Sequence, residues 1–240
     1  MFTKKEFLAL IISVLILTFI FGFDDGSPTF VLSNWMLNFF RIFLLVSVAV
    51  LFRELVIKLF AKRHDATSEY EIWNIKQIWF NVKLKMGLPL GILIALIFAI
   101  VSKGRFFFTA IGTNKLKEIG VARVGRKYQN LTYYEEAQIA SMGILASLFI
   151  SVFGLFFGRI FGINMEEFVT INFYLALFNM LPFSTLNGAK IFFGSLLTYI
   201  FLLVFVVVAF LLIKSSVVLS LVVGFLVASA ATILYFYKWG

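Results

Sequence analysis

The chain has 240 residues, of which 62% are hydrophobic and only 14% are charged, and its mean hydropathy is +1.01. This composition excludes an ordinary soluble globular domain and predicts an integral membrane protein. The net charge of +9 comes from basic residues beside apolar segments, so we expect membrane lipid, not nucleic acid, as a partner.

Apolar segments of membrane-spanning length recur along the whole chain. Five are long enough to cross a bilayer, which takes about 20 residues at helical rise. These five are residues 7–23, 35–60, 137–158, 191–213 and 217–237. Two others are shorter: 86–101 contains Pro89, and 168–182 is interrupted by Asn172 and Asn179. We therefore expect residues 1–240 to form a single, all-α polytopic membrane domain.

The positions of lysine and arginine predict the orientation of these segments. Two lysines precede the first segment and two aspartates follow it, so we expect a multi-pass protein of the cell membrane with a cytoplasmic N-terminus. If 86–101 crossed the bilayer fully, the basic connection 102–136 would lie outside, against the positive-inside rule. We favour a re-entrant or interfacial segment at 86–101, and full crossing stays open as the alternative.

The two large polar connections, 61–85 and 102–136, contain stretches in which apolar and polar residues alternate. Residues 69–73 read Glu-Tyr-Glu-Ile-Trp, and residues 121–124 read Val-Ala-Arg-Val. Alternation of this kind is typical of strands. We expect short strands at the membrane surface.

Two motifs interrupt the apolar pattern with polar residues. The first is VLFRELVIKLFAKR, residues 50–63, in which Arg53 and Glu54 stand side by side near the end of an apolar run. The second is ALFNMLPFSTLNGAK, residues 176–190, with an asparagine, a proline and an Asn-Gly pair. Such residues leave polar groups that need partners inside a membrane protein. Read alone, the second motif is as compatible with a helix end followed by a turn as with a functional site.

Together the motifs resemble the site-2 protease family of intramembrane zinc metalloproteases. Members of that family carry HExxH on one membrane helix, a small-residue AGPLAN-like helix, and then NxxPxxxLDG. Here 53–57 reads RELVI in the HExxH place, 142–147 reads MGILAS in the small-residue place, and 179–188 reads NMLPFSTLNG in the last place. The resemblance covers roughly residues 38–193. It implies a core of about six spanning helices plus one re-entrant or interfacial segment, with 191–237 as a C-terminal helical hairpin.

The metal ligands that the resemblance implies are absent from this chain. Their positions hold Arg53, Ile57 and Asn187. Arginine is a permanent cation without a lone pair, isoleucine has no donor atom, and a neutral amide oxygen is a poor zinc ligand. Only Glu54, the residue that would activate a metal-bound water, is retained, as a vestigial catalytic position. We expect no metal and no cofactor, and His64, beyond the membrane end of the helix, does not rebuild the site.

Two arrangements are open for the Arg53 side chain. In the first, an internal lock, Arg53 fills the volume that zinc would occupy and bonds Asn187 or nearby carbonyl groups. In the second, Arg53 extends to the lipid headgroups, and Glu54 pairs with Lys58 one helical turn away.

The resemblance implies a pseudoprotease that binds or regulates transmembrane or extended segments of other membrane proteins without cleaving them. The substrate-groove candidates are Asn179, Pro182 and Gly188. One alternative is an active metalloprotease with unorthodox ligands, which would hold zinc. Another is a small membrane transporter, suggested by polar residues at broken segments.

Overall fold

The computed structural model describes residues 2–24, 30–79, 82–119, 131–183, 185–213 and 216–239, with side chains at all of these except 76–79, 82–86 and 239. The described chain is mostly helical, as expected, with short strands between its second and fourth helices. In chain order the elements are α1 (Lys4–Phe21), α2 (Leu32–Arg63), β1 (Ala66–Ile72), β2 (Ile75–Trp79), β3 (Val82–Leu88), α3 (Leu90–Val101), β4 (Gly112–Glu118), α4 (Tyr133–Phe161), α5 (Glu166–Asn179), α6 (Asn187–Gly194), α7 (Leu196–Leu212) and α8 (Val217–Trp239).

The contacts divide the chain into two compact units. Unit one comprises Met1–Leu51 and Glu69–Lys115, and unit two comprises Phe52–Ser68 and Leu116–Gly240. That residues 1–240 form a single membrane domain stays a prediction.

Unit one is organised around the N-terminal half of α1. Thr3 and Glu6 form a capping box that begins the helix. The buried Glu6 carboxylate also accepts a hydrogen bond from the Tyr70 backbone N–H at 3.1 Å, and the Tyr70 hydroxyl donates to Ser13 Oγ at 2.9 Å. These two bonds hold β1 against α1.

The strands form two separate two-stranded sheets. β1 and β4 run antiparallel, because the Trp73 N–H donates to the Ile111 carbonyl beyond one end and the Ile119 N–H donates to the Asp65 carbonyl beyond the other. β2 and β3 are also antiparallel, with Ile75 opposite Leu88. The strand predicted at 69–73 is confirmed as far as Ile72, and the one predicted at 121–124 lies outside the described residues.

Unit two is a helical core in which α4 is the shared element. Buried side chains of α4 (Ala140, Ile144 and Leu148) belong to one cluster with residues of α5, α6, α7 and α8. α7 and α8 pack along each other, with the rings of Phe201 and Phe225 5.6 Å apart. Small residues on α4 allow this packing at close range.

The expectation of one uninterrupted helix over 191–213 is wrong. α6 ends at Gly194, Ser195 is extended with φ −160° and ψ 101°, and α7 begins at Leu196. The Ser195 hydroxyl caps α7 by accepting from the Thr198 N–H at 3.3 Å. A Cβ at Gly194 would collide with the Tyr133 carbonyl of α4, so the break also lies where α6 touches α4.

In the shorter segment 86–101, the helix is also shorter than the apolar run. Met86 to Leu88 belong to β3, and α3 begins after Pro89. Proline suits this position because its missing N–H has no acceptor in the first turn of a helix.

Two helices of the described chain are long and apolar enough to cross a membrane: Tyr133–Phe161, which is α4, and Val217–Lys238 within α8. α3 and α7 are shorter apolar helices. Most of α4 is buried inside the protein, whereas most of α8 is exposed.

Candidate functional site

The candidate site lies in unit two, where the end of α2 packs against α4. Arg53 and Glu54 are both buried, with 4% and 0% of their surfaces exposed. The guanidinium bonds one carboxylate oxygen twice: Arg53 Nη2 is 2.8 Å and Nε 3.2 Å from Glu54 Oε1. Charges removed from water need such partners, because an unpaired buried charge costs several kcal/mol. The two residues therefore form a buried ion pair within one helix.

Ile57, one turn further along α2, presses directly on α4. Its side chain is fully buried, and a Cβ at Gly143 would lie 2.7 Å from Ile57 Cδ1 and 3.7 Å from Arg53 Cγ. No larger residue fits at 143 without moving Ile57. Ile57 also belongs to a small apolar cluster with Ala61, Ala66 and Ile139. The small-residue stretch at 142–147 thus packs on the face of α2 that carries Arg53 and Ile57.

Asn187 and Gly188 begin α6 at the end of α5. Asn187 is buried, with 1% of its surface exposed. A Cβ at Gly188 would collide with the backbone of Met180 and Leu181, which follow α5. The Asn-Gly pair is therefore fitted against the end of α5, and α6 in turn packs along α4.

The groove candidates have different environments. Asn179 is buried at the last position of α5, and its Nδ2 donates to the Leu175 carbonyl at 2.7 Å. Its Oδ1 is buried and accepts no hydrogen bond from any described residue. Pro182 is exposed, and Gly188 is buried. Of the three candidates, only Pro182 is accessible in this conformation.

Both expected arrangements of Arg53 need correction. Extension to lipid headgroups is wrong, because the side chain is buried. The internal location is right, but the predicted partner is not: within the described part of the chain the guanidinium bonds Glu54 and makes no hydrogen bond to Asn187.

Lys58 Nζ donates to the Ser68 carbonyl at 2.7 Å, which joins α2 to β1. The sequence carries no signal for this bond, because the acceptor is a backbone carbonyl ten residues further along the chain. That Lys58 also pairs with Glu54 stays a prediction.

The residues at this site do not fit zinc. Arg53 is a cation already bonded to Glu54, and Ile57 is an aliphatic side chain that fills the space beside Gly143. Among the described residues no three His, Cys, Asp or Glu side chains are grouped so that they could hold a metal ion. His64 closes the end of α2 through its backbone N–H, seven residues beyond Ile57.

Comparison with protein-family models, with curated proteins and with solved structures gives no match.

Proposed function

We propose that this chain is a multi-pass membrane protein with a site-2-protease-like core that binds transmembrane or extended segments of other membrane proteins without cleaving them. About six helices would span the bilayer, with a cytoplasmic N-terminus and the strands at the membrane surface. The observation that carries the proposal is the buried Arg53–Glu54 pair. A cation and an aliphatic side chain stand where the related enzymes carry zinc ligands.

The surface of the helices supports a membrane location. Large apolar side chains are exposed along α8, among them Val222, Phe225, Leu226, Ile233 and Leu234. Similar side chains are exposed on α1 and α2, such as Phe7 and Phe40. In water, apolar surface on this scale would drive association, whereas lipid covers it at no cost.

The arrangement of unit two supports the family resemblance. Three stretches far apart in sequence meet around α4: 53–57 through Ile57 and Gly143, 142–147 within α4 itself, and 179–188 through α5 and α6. These are the stretches that the resemblance pairs with the parts of a protease site. What has changed is the chemistry of the side chains, since an Arg–Glu pair offers no site for a metal-bound water.

We expect the purified protein to contain far less than one zinc per chain, measured by elemental analysis after purification without chelator. Zinc added and then removed by dialysis should leave neither bound metal nor a change in thermal stability. The matched control is Glu54→Gln, which should leave the zinc content unchanged. One zinc per chain, lost on Glu54→Gln or Asn187→Ala, would instead overturn the proposal and favour the metalloprotease alternative.

We also expect a bound segment to remain intact. A photoreactive amino acid in place of Phe183, which is exposed beside Pro182, should crosslink to other membrane proteins in native membranes. The crosslinked partners should keep their full length by mass spectrometry. The control is the same amino acid at Phe149, which is exposed on α4. Equal crosslinking at both positions would argue against a specific groove, and shortened partners would argue for cleavage.

A further inference from the structure

In unit one a short helix is followed by a non-helical segment that returns to its starting point. α3 has 12 residues, so at helical rise it is about 18 Å long, short of the roughly 30 Å hydrocarbon core. Residues 107–111 then run without helix or strand into β4. The Ile111 N–H donates to the Thr109 carbonyl at 2.9 Å, so this segment turns tightly at its end.

The start of α3 and the end of the non-helical segment lie together beside β1. Backbone atoms of Ile111 occupy the place that a Cβ on Gly91 would take. The Trp73 backbone bonds both: its N–H donates to the Ile111 carbonyl at 2.9 Å, and its carbonyl accepts from the Gly91 N–H at 3.3 Å. The Tyr70 hydroxyl, which touches the next residue, Gly112, bonds Ser13, so this junction lies beside the middle of α1.

The turn between the two segments lies at the C-terminal end of α1. Lys103 and Gly104 have left-handed backbones, with φ of 54° and 75°, and the Gly104 N–H donates to the Ala99 carbonyl at 2.8 Å to end α3. Gly104 faces the ring of Phe23, just past the end of α1. The rings of Phe21 and Phe107 are 5.0 Å apart. α3 and residues 107–111 therefore run along α1 to its C-terminal end.

The non-helical segment is buried, as non-helical backbone in a membrane requires. Non-helical backbone is tolerated at membrane depth only where protein buries it. Residues 108–114 are all buried, and Thr109 and Ile111 are at most 2% exposed. The turn is different, since Lys103 and Arg105 are exposed and neighbour the exposed side chains of Val101 and Phe106. Cations beside exposed apolar side chains are typical of the membrane interface.

We propose that α3 and residues 107–111 form a re-entrant hairpin whose tip, Lys103 to Arg105, reaches the membrane face opposite the N-terminus and binds lipid phosphate groups there. This rests on the membrane location proposed above. Arginine and lysine complement phosphate in charge and hydrogen-bond donors. The hairpin also returns the chain, so that Lys115 of β4 lies on the N-terminal side, as the positive-inside rule favours.

The absence of cysteine makes the sidedness of each position measurable in the full-length chain. Lys4→Cys, Lys103→Cys and Lys115→Cys are each treated with a membrane-impermeant maleimide from either side of sealed membrane vesicles. We expect Lys4→Cys and Lys115→Cys to react from one side and Lys103→Cys from the other.

Other patterns of labelling overturn the proposal in distinct ways. If all three variants react from the same side of the membrane, residues 103–105 form a shallow loop. If Lys103→Cys and Lys115→Cys both react from the side opposite to Lys4→Cys, α3 crosses the bilayer once. If alkaline carbonate extracts the protein from the vesicles, the membrane location itself fails.

The lipid contact is tested by fluorescence quenching at the tip. The quenching of a fluorophore attached to Val101→Cys is measured in bilayers of brominated phosphatidylglycerol and in bilayers of brominated phosphatidylcholine. The ratio of the two gives the relative affinity of the tip for the anionic lipid. Neutralising either cation, by Lys103→Gln or Arg105→Gln, should lower that relative affinity about fivefold. Lys5→Gln, at the other end of α1, is the control and should leave it unchanged. An unchanged ratio in both tip variants would overturn the lipid contact.

Discussion

Replacing Arg53 by methionine is expected to lower the free energy of unfolding by about 3–5 kcal/mol, because it leaves the Glu54 carboxylate buried without its cation. Methionine keeps the length and much of the apolar stem of arginine, so the packing against Gly143 is largely preserved. Reversible denaturation in detergent micelles, followed by circular dichroism, measures the change. Lys62→Met, at an exposed position in the last turn of α2, is the matched control and should change the stability by less than about 0.5 kcal/mol.

Removing both charges separates the loss of the pair from the loss of packing. The double variant Arg53→Met with Glu54→Leu should recover most of the stability, since well-packed apolar residues often replace a buried ion pair without cost. The coupling energy from this double-mutant cycle should therefore be large. Additive losses from the two single variants would contradict the buried pair as the main interaction of either side chain.

The helices were largely predictable because each depends on composition over many residues. A run of about 20 apolar residues identifies a helix wherever its partners lie, although only α4 and α8 of the described helices are both long and apolar enough to cross a membrane. The break at Ser195 was not predictable in this way. It depends on a hydroxyl cap and on the approach of Gly194 to the Tyr133 carbonyl, more than 60 residues away in sequence. The apolar run continues on both sides of Ser195, so the periodicity of its residues does not indicate the break.

The positions of the candidate site came from the resemblance to the site-2 protease family, and its bonds were not predicted. That resemblance pairs 53–57, 142–147 and 179–188 with the parts of one site, and all three lie in unit two. The partner of Arg53 was missed because residues i and i+1 on a helix point about 100° apart. The arginine side chain is long enough for its guanidinium to bend back to the carboxylate of the adjacent residue. Here Gly143 brings α4 close to the Arg53 stem.

The buried pair and its neighbour form a mutually compatible interior. An isolated charge inside a protein would cost stability. Arg53 and Glu54 bond each other, and Ile57 fills the neighbouring space against Gly143.

Gly188→Ala is expected to lower the free energy of unfolding by about 3 kcal/mol, because the added Cβ would meet backbone atoms that cannot rotate away. The matched control is Gly224→Ala in α8, where the nearest atoms to a new Cβ are 3.1 Å away in Phe205. There the alanine gains helix propensity of about 0.5–1 kcal/mol, which offsets the closer contact. The same denaturation assay measures both variants.

The consequence for the site distinguishes the two glycine variants further. Displacement of Gly188 from the end of α5 also moves its neighbour Asn187, whereas Gly224→Ala leaves the site unchanged. Crosslinking from position 183 should therefore fall in Gly188→Ala and persist in Gly224→Ala at a temperature where both remain folded. Equal stability of the two variants would mean that Asn187 and Gly188 are not held against the end of α5. The groove candidate Gly188 would then have no fixed position relative to Pro182.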